Sequence, residues 1–491
     1  MNRTKHNILS YSGLIIFALI IILSSCRKEE DFITTPSAKI SFSADSVLFD
    51  TVFTTLGSVT KRLMVYNHND QKINISSIRL ANAAASMFRI NVDGTPALQI
   101  NNVEIAANDS MFIFVKVTVN PNNQNNPLIV SDDIIFETNG NIQKVSLTAW
   151  GQDAYYHVPN DTIFFINQSG AIVGQEIMSF ARCKTPWEND KPHVIFGLCV
   201  VWRDSTLIIP AGTKVYLAPN SELRVWDGAT LKVNGSLHNE VKFQGSRLDM
   251  PYRDTPGQWG KIWLKAGSKD NEINYAIIRN GSIGLRVDTV INSNPTLKLD
   301  NTIIENMSVA GIFAQGSVIK ATNTIVTNCG EYAIVLSIGG NYEFLHCTIG
   351  NYWNYSSRKT PSVVLNNYYK DNNDVIQLRP LVNAYFGNCI IYGNTDEELL
   401  LDYNASASFN YKFDYCLIKT KLSNATYFDH CKINIDPLFK NTEINDLHLL
   451  SGSPAKLSGK PSIGALVPKD LDENTRSSTP STSTPSIGAY E

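Results

Sequence analysis

Four short stretches decide the fold of this chain: "NYAIIRN" (residues 274–280), "DNTIIEN" (300–306), "TNTIVTN" (322–328) and "LHCTIGN" (345–351). In each, a small residue is followed by two β-branched residues, and an asparagine lies four positions after the small one. Two further stretches, "GNCIIYGN" (387–394) and "DYCLIKT" (414–420), repeat most of this pattern. The small residues are Ala276, Thr302, Thr324, Cys347, Cys389 and Cys416, at intervals of 26, 22, 23, 42 and 27 residues. A recurrent interval of this length indicates stacked structural repeats.

The region before residue 274 shows a shorter period that fits inside the longer one. Pairs of apolar residues two positions apart recur at intervals of 8, 8 and 10: Val215/Leu217, Leu223/Val225, Leu231/Val233 and Val241/Phe243. Residues two apart on a strand face the same side, and neighbouring strands lie ~4.8 Å apart. Asparagine tolerates the left-handed conformation of a sharp turn and forms hydrogen bonds there. Three short strands per coil, with an asparagine at a bend, predict a right-handed parallel β-helix over residues 155–468.

The cysteines fit this prediction unevenly. Cys347, Cys389 and Cys416 share the inward register with alanine and threonine, which predicts small buried thiols in the core. A disulfide between stacked coils would be strained, because its Cβ atoms must come within ~3.8 Å. Cys183 and Cys199 flank an irregular stretch and are the pair most favoured for a disulfide. Cys329 and Cys431 are left unassigned.

Residues 38–154 show a different pattern of short alternating strands. In "SMFIFVKVTVNP" (110–121), every second residue from Met111 to Val119 is apolar. Asn139-Gly140 lies between two such runs, which is a strong hairpin signal. Several short strands at this spacing predict a β-sandwich, and their order resembles the immunoglobulin-like sandwiches of the ASH/major-sperm-protein type. The fold class is therefore all-β, an immunoglobulin-like sandwich followed by the β-helix. The sandwich is either a spacer, an interaction module or a plain stalk.

The N-terminus has the features of a secretory signal peptide over residues 1–25. A basic tip with Arg3 and Lys5 precedes the apolar run Leu14–Leu23, which is too short to cross a bilayer. Leu23-Ser24-Ser25-Cys26 resembles the lipobox of bacterial lipoproteins. That resemblance implies cleavage before Cys26, acylation of Cys26 with fatty acids such as palmitate, and a lipidated tether over residues 26–37. Several acyl chains anchor a protein stably to a membrane, so the membrane is the first expected partner.

The charged residues after Cys26 suggest a sorting signal. "CRKEED" (26–31) resembles the Cys-x-Lys-(Asp/Glu)-(Asp/Glu) export signal of Bacteroidetes-type surface lipoproteins. In that resemblance Lys28, Glu29 and Glu30 direct the chain to the outer membrane, facing the cell exterior. The alternative is a solvated tether without a sorting role.

Two longer stretches resemble known families. The region from "WENDKPHVIFGLCVV" (187–201) to "GQWGKIWL" (257–264) resembles uncharacterised Bacteroidetes β-helix lipoproteins. The end, "IDPLFKNTEINDLHLLSGSPAKLSG" (435–459) with "PSIGAYE" (485–491), is similar to the close of pectate-lyase-like β-helices. A Ser/Thr/Pro insertion precedes that close, so residues 469–491 are expected to hold this insertion and a C-terminal strand.

Composition excludes several functions. Charged residues make up 18 % of the 491, and the net charge is −3, which is not the footprint of a nucleic-acid-binding protein. The eight histidines are scattered without paired spacing, so no metal site and no cofactor are expected. A lyase on this fold would need Ca²⁺, held by two or more acids on adjacent coils beside a lysine or arginine. The repeat strands show Ala, Thr, Ile, Val and Asn at those positions, so no catalytic residue is assigned.

Two loops are the candidate sites. The 42-residue interval predicts one coil with an insertion, "NYWNYSSRKTPSVVLNNYYKDNNDV" (351–375), whose flat aromatic rings and polar groups suit sugar faces. The candidate glycan-binding residues are Tyr352, Trp353, Tyr355, Tyr368, Tyr369, Lys370 and Asp371. The second loop, "GSRLDMPYRDTPGQWG" (245–260), offers Arg247, Asp249, Tyr252, Arg253 and Asp254. In both loops the alternative is structural: aromatic rings packed on the coil, and an Arg–Asp pinned turn sealed by Trp259.

These observations favour an outer-membrane surface lipoprotein that binds glycan or another extracellular polymer, such as a polysaccharide or glycoprotein, without catalysis. The alternative is a polysaccharide lyase or glycoside hydrolase that acts in a groove of the β-helix, because this fold hosts both binding proteins and enzymes. Five Asp-Ser/Thr-apolar triplets, beginning at Asp45, Asp50, Asp109, Asp161 and Asp288, resemble the Bacteroidetes O-glycosylation acceptor.

Overall fold

The structure is a computed structural model, and it describes residues 31–121, 128–183, 185–250, 252–289, 295–422, 426–477 and 484–491. The chain divides into two compact units between Gln152 and Asp153. No helix among the described residues is long and apolar enough to cross a membrane. The fold is all-β: an immunoglobulin-like β-sandwich forms the first unit, and a right-handed parallel β-helix forms the second.

The first unit contains two antiparallel-rich sheets in the orders β1-β3-β8-β5-β6 and β2-β10-β9-β4-β7. Its strands are β1 (Ser41–Phe42), β2 (Ser46–Phe53), β3 (Lys61–Asn67), β4 (Ile73–Leu80), β5 (Phe88–Val92), β6 (Thr95–Ala97), β7 (Gln99–Ile105), β8 (Asp109–Val117), β9 (Leu128–Thr138) and β10 (Asn141–Gln152). The alternate residues from Met111 to Val119 are all buried between the two sheets. Asn139 and Gly140 both have positive φ, as the tight turn between β9 and β10 requires.

Among its described residues, the second unit is built mainly of short strands, with one short α-helix. In chain order these are β11 (Tyr155–His157), β12 (Asp161–Ile166), β13 (Ile172–Phe180), β14 (His193–Ile195), β15 (Leu198–Val201), β16 (Thr206–Pro210), β17 (Lys214–Leu217), β18 (Glu222–Val225), β19 (Thr230–Asn234), β20 (Val241–Gly245), β21 (Trp259–Leu264), β22 (Asn271–Asn274), β23 (Ala276–Arg279), β24 (Gly281–Val287), β25 (Leu297–Asp300), β26 (Ile303–Met307), β27 (Ala310–Gln315), β28 (Val318–Thr322), β29 (Ile325–Cys329) and β30 (Tyr332–Ser337). They continue with β31 (Gly340–Leu345), β32 (Thr348–Asn351), β33 (Val363–Asn366), β34 (Tyr368–Lys370), β35 (Ile376–Leu378), β36 (Leu381–Gly387), β37 (Ile390–Gly393), β38 (Leu399–Asp402), β39 (Lys412–Asp414), β40 (Leu417–Ile418), β41 (Phe428–Asp429), β42 (Lys432–Ile433), β43 (Phe439–Asn441), β44 (Asp446–Leu449) and helix α1 (Pro461–Leu466).

Three long sheets share most of these strands, and each complete coil gives one strand to each sheet. Strands β34–β35 and β43–β44 form two separate two-stranded sheets. Sheet 1 has eleven strands from β11 to β42, sheet 2 has ten from β12 to β38, and sheet 3 has nine from β16 to β41, within the described residues. The chain runs from sheet 3 to sheet 1 to sheet 2 and then starts the next coil. All neighbours in the three long sheets pair in parallel except the first two strands of sheet 2. This is the arrangement that the repeats predict.

The small residues of the repeats form one column inside sheet 1. Ile277 pairs with Ile303, Ile303 with Ile325, and Ile325 with Thr348, which places Ala276, Thr302, Thr324 and Cys347 in the same register. All four side chains are buried. The predicted stacking of coils of about two dozen residues is therefore confirmed.

The predicted asparagine ladder is present at the corner between sheet 1 and sheet 2. Asn280, Asn306 and Asn328 have positive φ, and each later side-chain amide donates to the Oδ1 atom of the previous one, at 2.6 and 3.1 Å. Asparagine adopts left-handed backbone conformations more easily than other non-glycine residues. Asn351 departs from the ladder, because its Oδ1 atom accepts from the backbone N–H of Cys329 instead.

Aromatic rings form a second column inside sheet 3. Phe344, Phe386, Phe413 and Phe428 stack with successive centroid distances of 4.9, 5.0 and 5.3 Å and interplanar angles of 4°, 19° and 22°. These distances match the spacing of neighbouring strands. Stacking of identical side chains therefore follows from the register of the coils.

The cysteines of the second unit are all free. Cys347, Cys389 and Cys416 lie buried in one column, where the backbone N–H groups of Cys347 and Cys389 donate to the next sulfur at 3.4 Å. The candidate disulfide between Cys183 and Cys199 is not formed. Cys199 faces the core of the β-helix, and burial raises the pKa of its thiol to about 12. The Cys183 thiol donates instead to the Ala181 carbonyl oxygen at 3.3 Å.

We expect alkylation of the denatured protein without reductant to modify Cys183 and Cys199 completely, because neither sulfur is bonded to another. In the folded protein, Cys199 should resist a membrane-impermeant maleimide, because a buried, protonated thiol is not a nucleophile. Peptide mass spectrometry measures both. A disulfide-linked peptide that contains both cysteines would contradict this expectation.

The C-terminal residues pack on the outer face of sheet 1. Ile487, Ala489 and Tyr490 are buried there, and the Arg476 guanidinium donates to the carbonyl oxygens of Gly488 and Ala489. The expected C-terminal strand is not formed within residues 484–491. Its backbone hydrogen bonds go singly to separate segments, among them Ala455 and Asn388, and so build no ladder. Most of the Ser/Thr/Pro insertion, residues 478–483, lies outside the described residues.

A buried histidine pair lies near the start of the second unit. His193 Nε2 donates to the Glu188 carbonyl oxygen at 2.8 Å, so His193 Nδ1 is free to accept from His157 Nε2–H at 3.0 Å. Both rings stack against Trp187. Burial, and then the neighbouring His193, lower the pKa of His157 to about 3.

We expect the protein to lose stability as the pH falls below about 6.5. The unfolded chain protonates His157 near pH 6.5, whereas the folded chain resists protonation until about pH 3, so the contribution is complete above pH 6.5 and is lost as the pH falls. A histidine whose pKa is lowered in this way reduces the free energy of unfolding by up to about 1.4 kcal/mol for each pH unit in this window. Urea midpoints at pH 7 and pH 4.5 measure the loss. His157→Gln should reduce it, whereas His238→Asn at an exposed histidine should leave it unchanged.

Candidate functional site

The residues of the predicted anchor and export signal, Cys26, Lys28, Glu29 and Glu30, lie outside the described residues. The first predicted loop, the second predicted loop except Pro251, and the strands of sheet 3 are described. Within the described residues, no group of three or more His, Cys, Asp or Glu side chains could hold a metal ion.

The predicted aromatic insertion is two separate insertions. Strand β33 lies in its middle, because Val363 and Leu365 are fully buried and continue the inward positions of Ile334 and Leu336 in sheet 2. Residues 352–362 therefore occupy the corner between sheet 1 and sheet 2. The hairpin β34–β35 occupies the next corner, between sheet 2 and sheet 3. The aromatic residues of the two halves do not form one surface.

In the first half, only one aromatic ring is available to a ligand. Trp353 is 7 % exposed, and its Nε1 donates to Ser356 Oγ at 2.9 Å, so its ring packs on the coil as the structural alternative predicts. Tyr352 is half-buried against Phe439. Tyr355 is 51 % exposed, and its hydroxyl donates to the Asp254 carbonyl oxygen at 2.8 Å.

In the second half, the polar residues are tied into the hairpin. The Tyr368 hydroxyl donates to Asp402 Oδ1 at 2.9 Å, and Tyr369 lies 5.6 Å from the Arg379 guanidinium. Asp371 accepts the backbone N–H groups of Asn373 and Val375, which closes the turn. Lys370 is exposed. Tyr369 and Lys370 remain accessible at one edge of the coil.

The second predicted loop is a pinned turn. Arg247 pairs with Asp249 at 2.9 Å and lies 3.3 Å above the Tyr252 ring, while Asp254 pairs with Arg253 at 3.3 Å and with Arg279 at 2.5 Å. Trp259 is buried beneath, as the structural alternative predicted. This loop lies on the same corner as residues 352–362. The two together cover the asparagine ladder, because Asn280 Nδ2 donates to the Arg253 carbonyl oxygen at 2.7 Å.

A buried ion pair fixes the first insertion to the coil. The side chains of Arg358 and Glu398 are both 0 % exposed and form a bidentate pair at 2.7 and 2.9 Å. Glu398 also accepts from the backbone N–H groups of Ser362 and Thr395. This arrangement is structural, because no part of either charged group reaches the surface.

The better candidate site is a polar groove of about 720 Å³ on the outer face of sheet 3. Its floor is formed by strands β22, β25 and β28, and its wall by Leu466 at the end of α1 and by the segment that follows, including Lys469. The polar residues of the floor are Glu272, Asn274, Lys298, Asp300, Asn301 and Thr322. Carboxamides here bond in series: Asn301 Nδ2 donates to Asn274 Oδ1, and Asn323 Nδ2 to Asn301 Oδ1, both at 2.9 Å. Asn323 Nδ2 also donates to the Lys469 carbonyl oxygen at 2.9 Å, whereas Asn301 Nδ2 keeps its second donor hydrogen.

Charge alternates along the floor. Lys232, Glu272 and Lys298 are paired neighbours on successive coils, and Glu272 Oε1 lies 3.0 Å from Lys232 Nζ and 3.6 Å from Lys298 Nζ. The hydrogen bond from Lys232 lowers the pKa of Glu272, and the charges of both lysines add to this. Glu272 is therefore a carboxylate at neutral pH.

Asp300 lies on the next coil, two residues beyond Lys298, the partner of Glu272 in the sheet. Its environment differs from that of Glu272. Asp300 pairs with Asn274, and Thr322 Oγ1 donates to its Oδ1 atom at 2.6 Å. Burial raises the pKa of Asp300, against the effects of Thr322 and Lys298, and the negative charge of Glu272 raises it further. Glu272 and Asp300 thus have pKa values shifted in opposite directions on one face.

This acid pair corrects the expectation that no acids occur on adjacent coils beside a basic residue. Glu272 and Asp300 both point outward from sheet 3, with Lys298 next to each in register. The sequence contained a signal: Glu272 and Asp300 lie four and two residues before the small residues Ala276 and Thr302. This signal does not stand out, because the recurring small residues belong to sheet 1, whereas the two acids lie on the preceding strands of sheet 3.

The fold and the groove place this chain among the parallel β-helix proteins. No protein-family model and no curated protein sequence matches it. Among solved structures, the catalytic unit of a GH87 α-1,3-glucanase from Streptomyces thermodiastaticus covers 73 % of this chain and 75 % of its own, at 10 % identity and a TM-score of 0.26. The ASH/PapD-like domain of human CEP192 covers 26 % of this chain and 95 % of its own, at 10 % identity and a TM-score of 0.17. Vibrio cholerae VesB protease covers 24 % of this chain at 11 % identity and a TM-score of 0.17, and the match spans 33 % of that protease.

Proposed function

We propose that this chain is an exported, lipid-anchored protein of the Bacteroidetes surface-lipoprotein type whose β-helix binds a neutral glycan. The observation that carries the proposal is the groove on sheet 3, where carboxamides, carboxylates and lysines line one concave surface. Sugar hydroxyls both donate and accept hydrogen bonds, so a floor that mixes amide donors with carboxylate acceptors suits them. The lining holds four carboxylates and two lysines, so its net negative charge disfavours an anionic polymer and a neutral glycan fits better.

The groove supports this proposal better than the aromatic loops do. Trp353 is buried, and Tyr368 and Asp371 are already hydrogen-bonded within the hairpin. The groove residues, in contrast, lie on paired strands of a long sheet. A site on such strands is held more rigidly than a site on loops.

Glycan binding is tested with the detergent-purified full chain on an array of neutral polysaccharides. We expect Leu466→Arg to weaken binding at least tenfold, because Leu466 is 71 % exposed on the groove wall and a longer charged side chain narrows the groove. Leu450→Arg, at an exposed leucine that does not line the groove, is the matched control. Binding that survives Leu466→Arg but is lost in Tyr369→Ala would place the ligand on the hairpin instead.

The membrane anchor and the location at the cell surface are tested in cells. Cys26→Ala should move the protein out of the membrane fraction, because the acyl chains are the proposed anchor. Protease added to intact cells should remove the wild-type protein, as expected for a protein at the cell surface. A protein that is protected in intact cells but cleaved after lysis would contradict surface exposure and leave the anchor intact.

A further inference from the structure

We propose that the groove on sheet 3 hydrolyses the glycosidic bonds of the neutral glycan it binds, with Asp300 as the general acid and Glu272 as the general base. This inference rests on the proposed function for the class of ligand and adds an activity to it. It departs from the sequence-based expectation of a module without catalysis.

The positions of the two acids on the face follow from the register of the sheet. Glu272 pairs with Lys298 and Asn274 with Asp300, so the two acids lie on neighbouring strands and are offset by two residues. A strand spacing of ~4.8 Å and a rise of ~3.3 Å per residue place their Cα atoms about 8 Å apart, with both side chains on the same face. Inverting glycosidases hold their two carboxyl groups ~6.5–9.5 Å apart, which leaves room for a water molecule beside the sugar. Cα atoms at this distance, with both side chains on one face, allow a carboxyl separation in that range, so the geometry points to hydrolysis with inversion.

The surroundings of each acid suit different roles. Glu272 is held ionised by Lys232 and Lys298, as a base that accepts a proton from water must be. Asp300 is more deeply buried, and its Oδ1 atom is held by Thr322, while no hydrogen bond to Oδ2 forms among the described residues. A pair of acids whose pKa values are pushed apart by their environments is the arrangement that acid–base catalysis needs.

The groove also provides space for a sugar and polar groups that can orient it. Its volume of about 720 Å³ lies within the range of ligand-binding clefts. Asn274 and Asn301 lie beside Asp300 and can orient sugar hydroxyls through the amide hydrogens not used in their ladder. Tyr275 closes one end, where its hydroxyl donates to Glu473 at 3.4 Å. A bound sugar would therefore meet polar groups on several sides and the acid pair on the floor.

The reaction balances without a cofactor. Asp300 gives its proton to the glycosidic oxygen as the bond from that oxygen to the anomeric carbon breaks. A water molecule attacks the anomeric carbon from the opposite face, and Glu272 takes its proton. One glycosidic bond and one water yield two free hydroxyl ends, and proton exchange with solvent restores both acids.

The test uses the detergent-purified full chain with laminarin, dextran, α-mannan, galactan and xylan. Reducing ends are measured over time, and binding is measured in parallel by co-sedimentation or affinity electrophoresis. We expect new reducing ends from a polysaccharide that binds. Asp300→Asn and Glu272→Gln should each lower the rate about a hundredfold to ten-thousandfold, with binding retained. Proton NMR of the first products should show inverted anomeric configuration.

Glu343→Gln is the matched control, because Glu343 lies in the same outward column and pairs with a lysine, Lys320, at 3.9 Å. Its side chain is 41 % exposed, against 43 % for Glu272. Glu343→Gln should leave the rate of reducing-end formation unchanged. Binding without any new reducing ends, or a rate unaffected by both acid substitutions, would overturn the hydrolase inference and leave glycan binding standing. Absence of binding to every polysaccharide would overturn the proposed function, and the inference would fall with it.

Discussion

Arg358→Ala is expected to lower the free energy of unfolding of the β-helix unit by about 3–5 kcal/mol. The substitution leaves the Glu398 carboxylate fully buried without its bidentate partner, and an unpaired buried charge is among the most costly defects in a protein. It also removes donors to Asn394 Oδ1 and to the carbonyl oxygens of Asn351 and Thr360. Equilibrium unfolding in urea, monitored by tryptophan fluorescence, measures the change.

Two controls separate the buried pair from ion pairs in general. Lys320→Ala breaks an exposed pair with Glu343 and should cost no more than about 1 kcal/mol. The double variant Arg358→Met with Glu398→Leu removes both charges, so its cost should be smaller than that of Arg358→Ala alone. A loss below about 1 kcal/mol for Arg358→Ala would show that water or another group compensates Glu398, and the description of this pair as fully buried would be wrong.

Phe386→Ala is the second variant with a large expected effect, also about 3–5 kcal/mol. Phe386 is fully buried and stacks between Phe344 and Phe413, so its removal leaves a cavity with an aromatic ring on each side. The neighbouring coils are fixed by their backbone hydrogen bonds and cannot collapse into the space. The unfolding midpoint in urea measures this loss.

The matched control for this cavity is Phe164→Ala, at a phenylalanine of the same unit that is 50 % exposed. It should cost less than about 1 kcal/mol, because little apolar area is removed from the interior. Phe386→Leu should fall between the two, since leucine fills part of the space. Equal losses for Phe386→Ala and Phe164→Ala would contradict the aromatic column.

The repeat strands could be predicted from the sequence because their constraints are local and periodic. A small residue at Ala276, Thr302 and Thr324, followed by β-branched residues and an asparagine, is enough to specify an inward side chain, a strand and a left-handed bend. The register of the coils then follows from the repetition alone. The same argument predicted the buried, unbridged thiols of Cys347, Cys389 and Cys416.

The sequence did not locate the insertions within the 42-residue interval, because the spacing of the repeats is uneven there. The 42-residue interval did not show where the extra residues enter, and burial of Val363 and Leu365 in sheet 2 divides them between two corners. The role of Trp353 also depended on a distant partner, because an aromatic side chain in a loop can face solvent or the coil with equal local preference. Arg358 lies in the same insertion, and only Glu398, forty residues later in the chain, explains its burial.

The sequence by itself determined the all-β class, the period of the coils, the asparagine bends and the small residues of the core, because each depends on neighbours within one repeat. The tertiary structure alone decided which outward residues meet on the face of the β-helix. Glu272 and Asp300 are separated by 28 positions in the chain, and the register between β22 and β25 brings them onto one floor. Leu466 at the end of α1 and Lys469 in the segment after it then close one side of that floor into a groove. The physical reason is that a parallel coil places residues from successive turns about 5 Å apart, so its surface chemistry is a property of stacking and not of any single repeat.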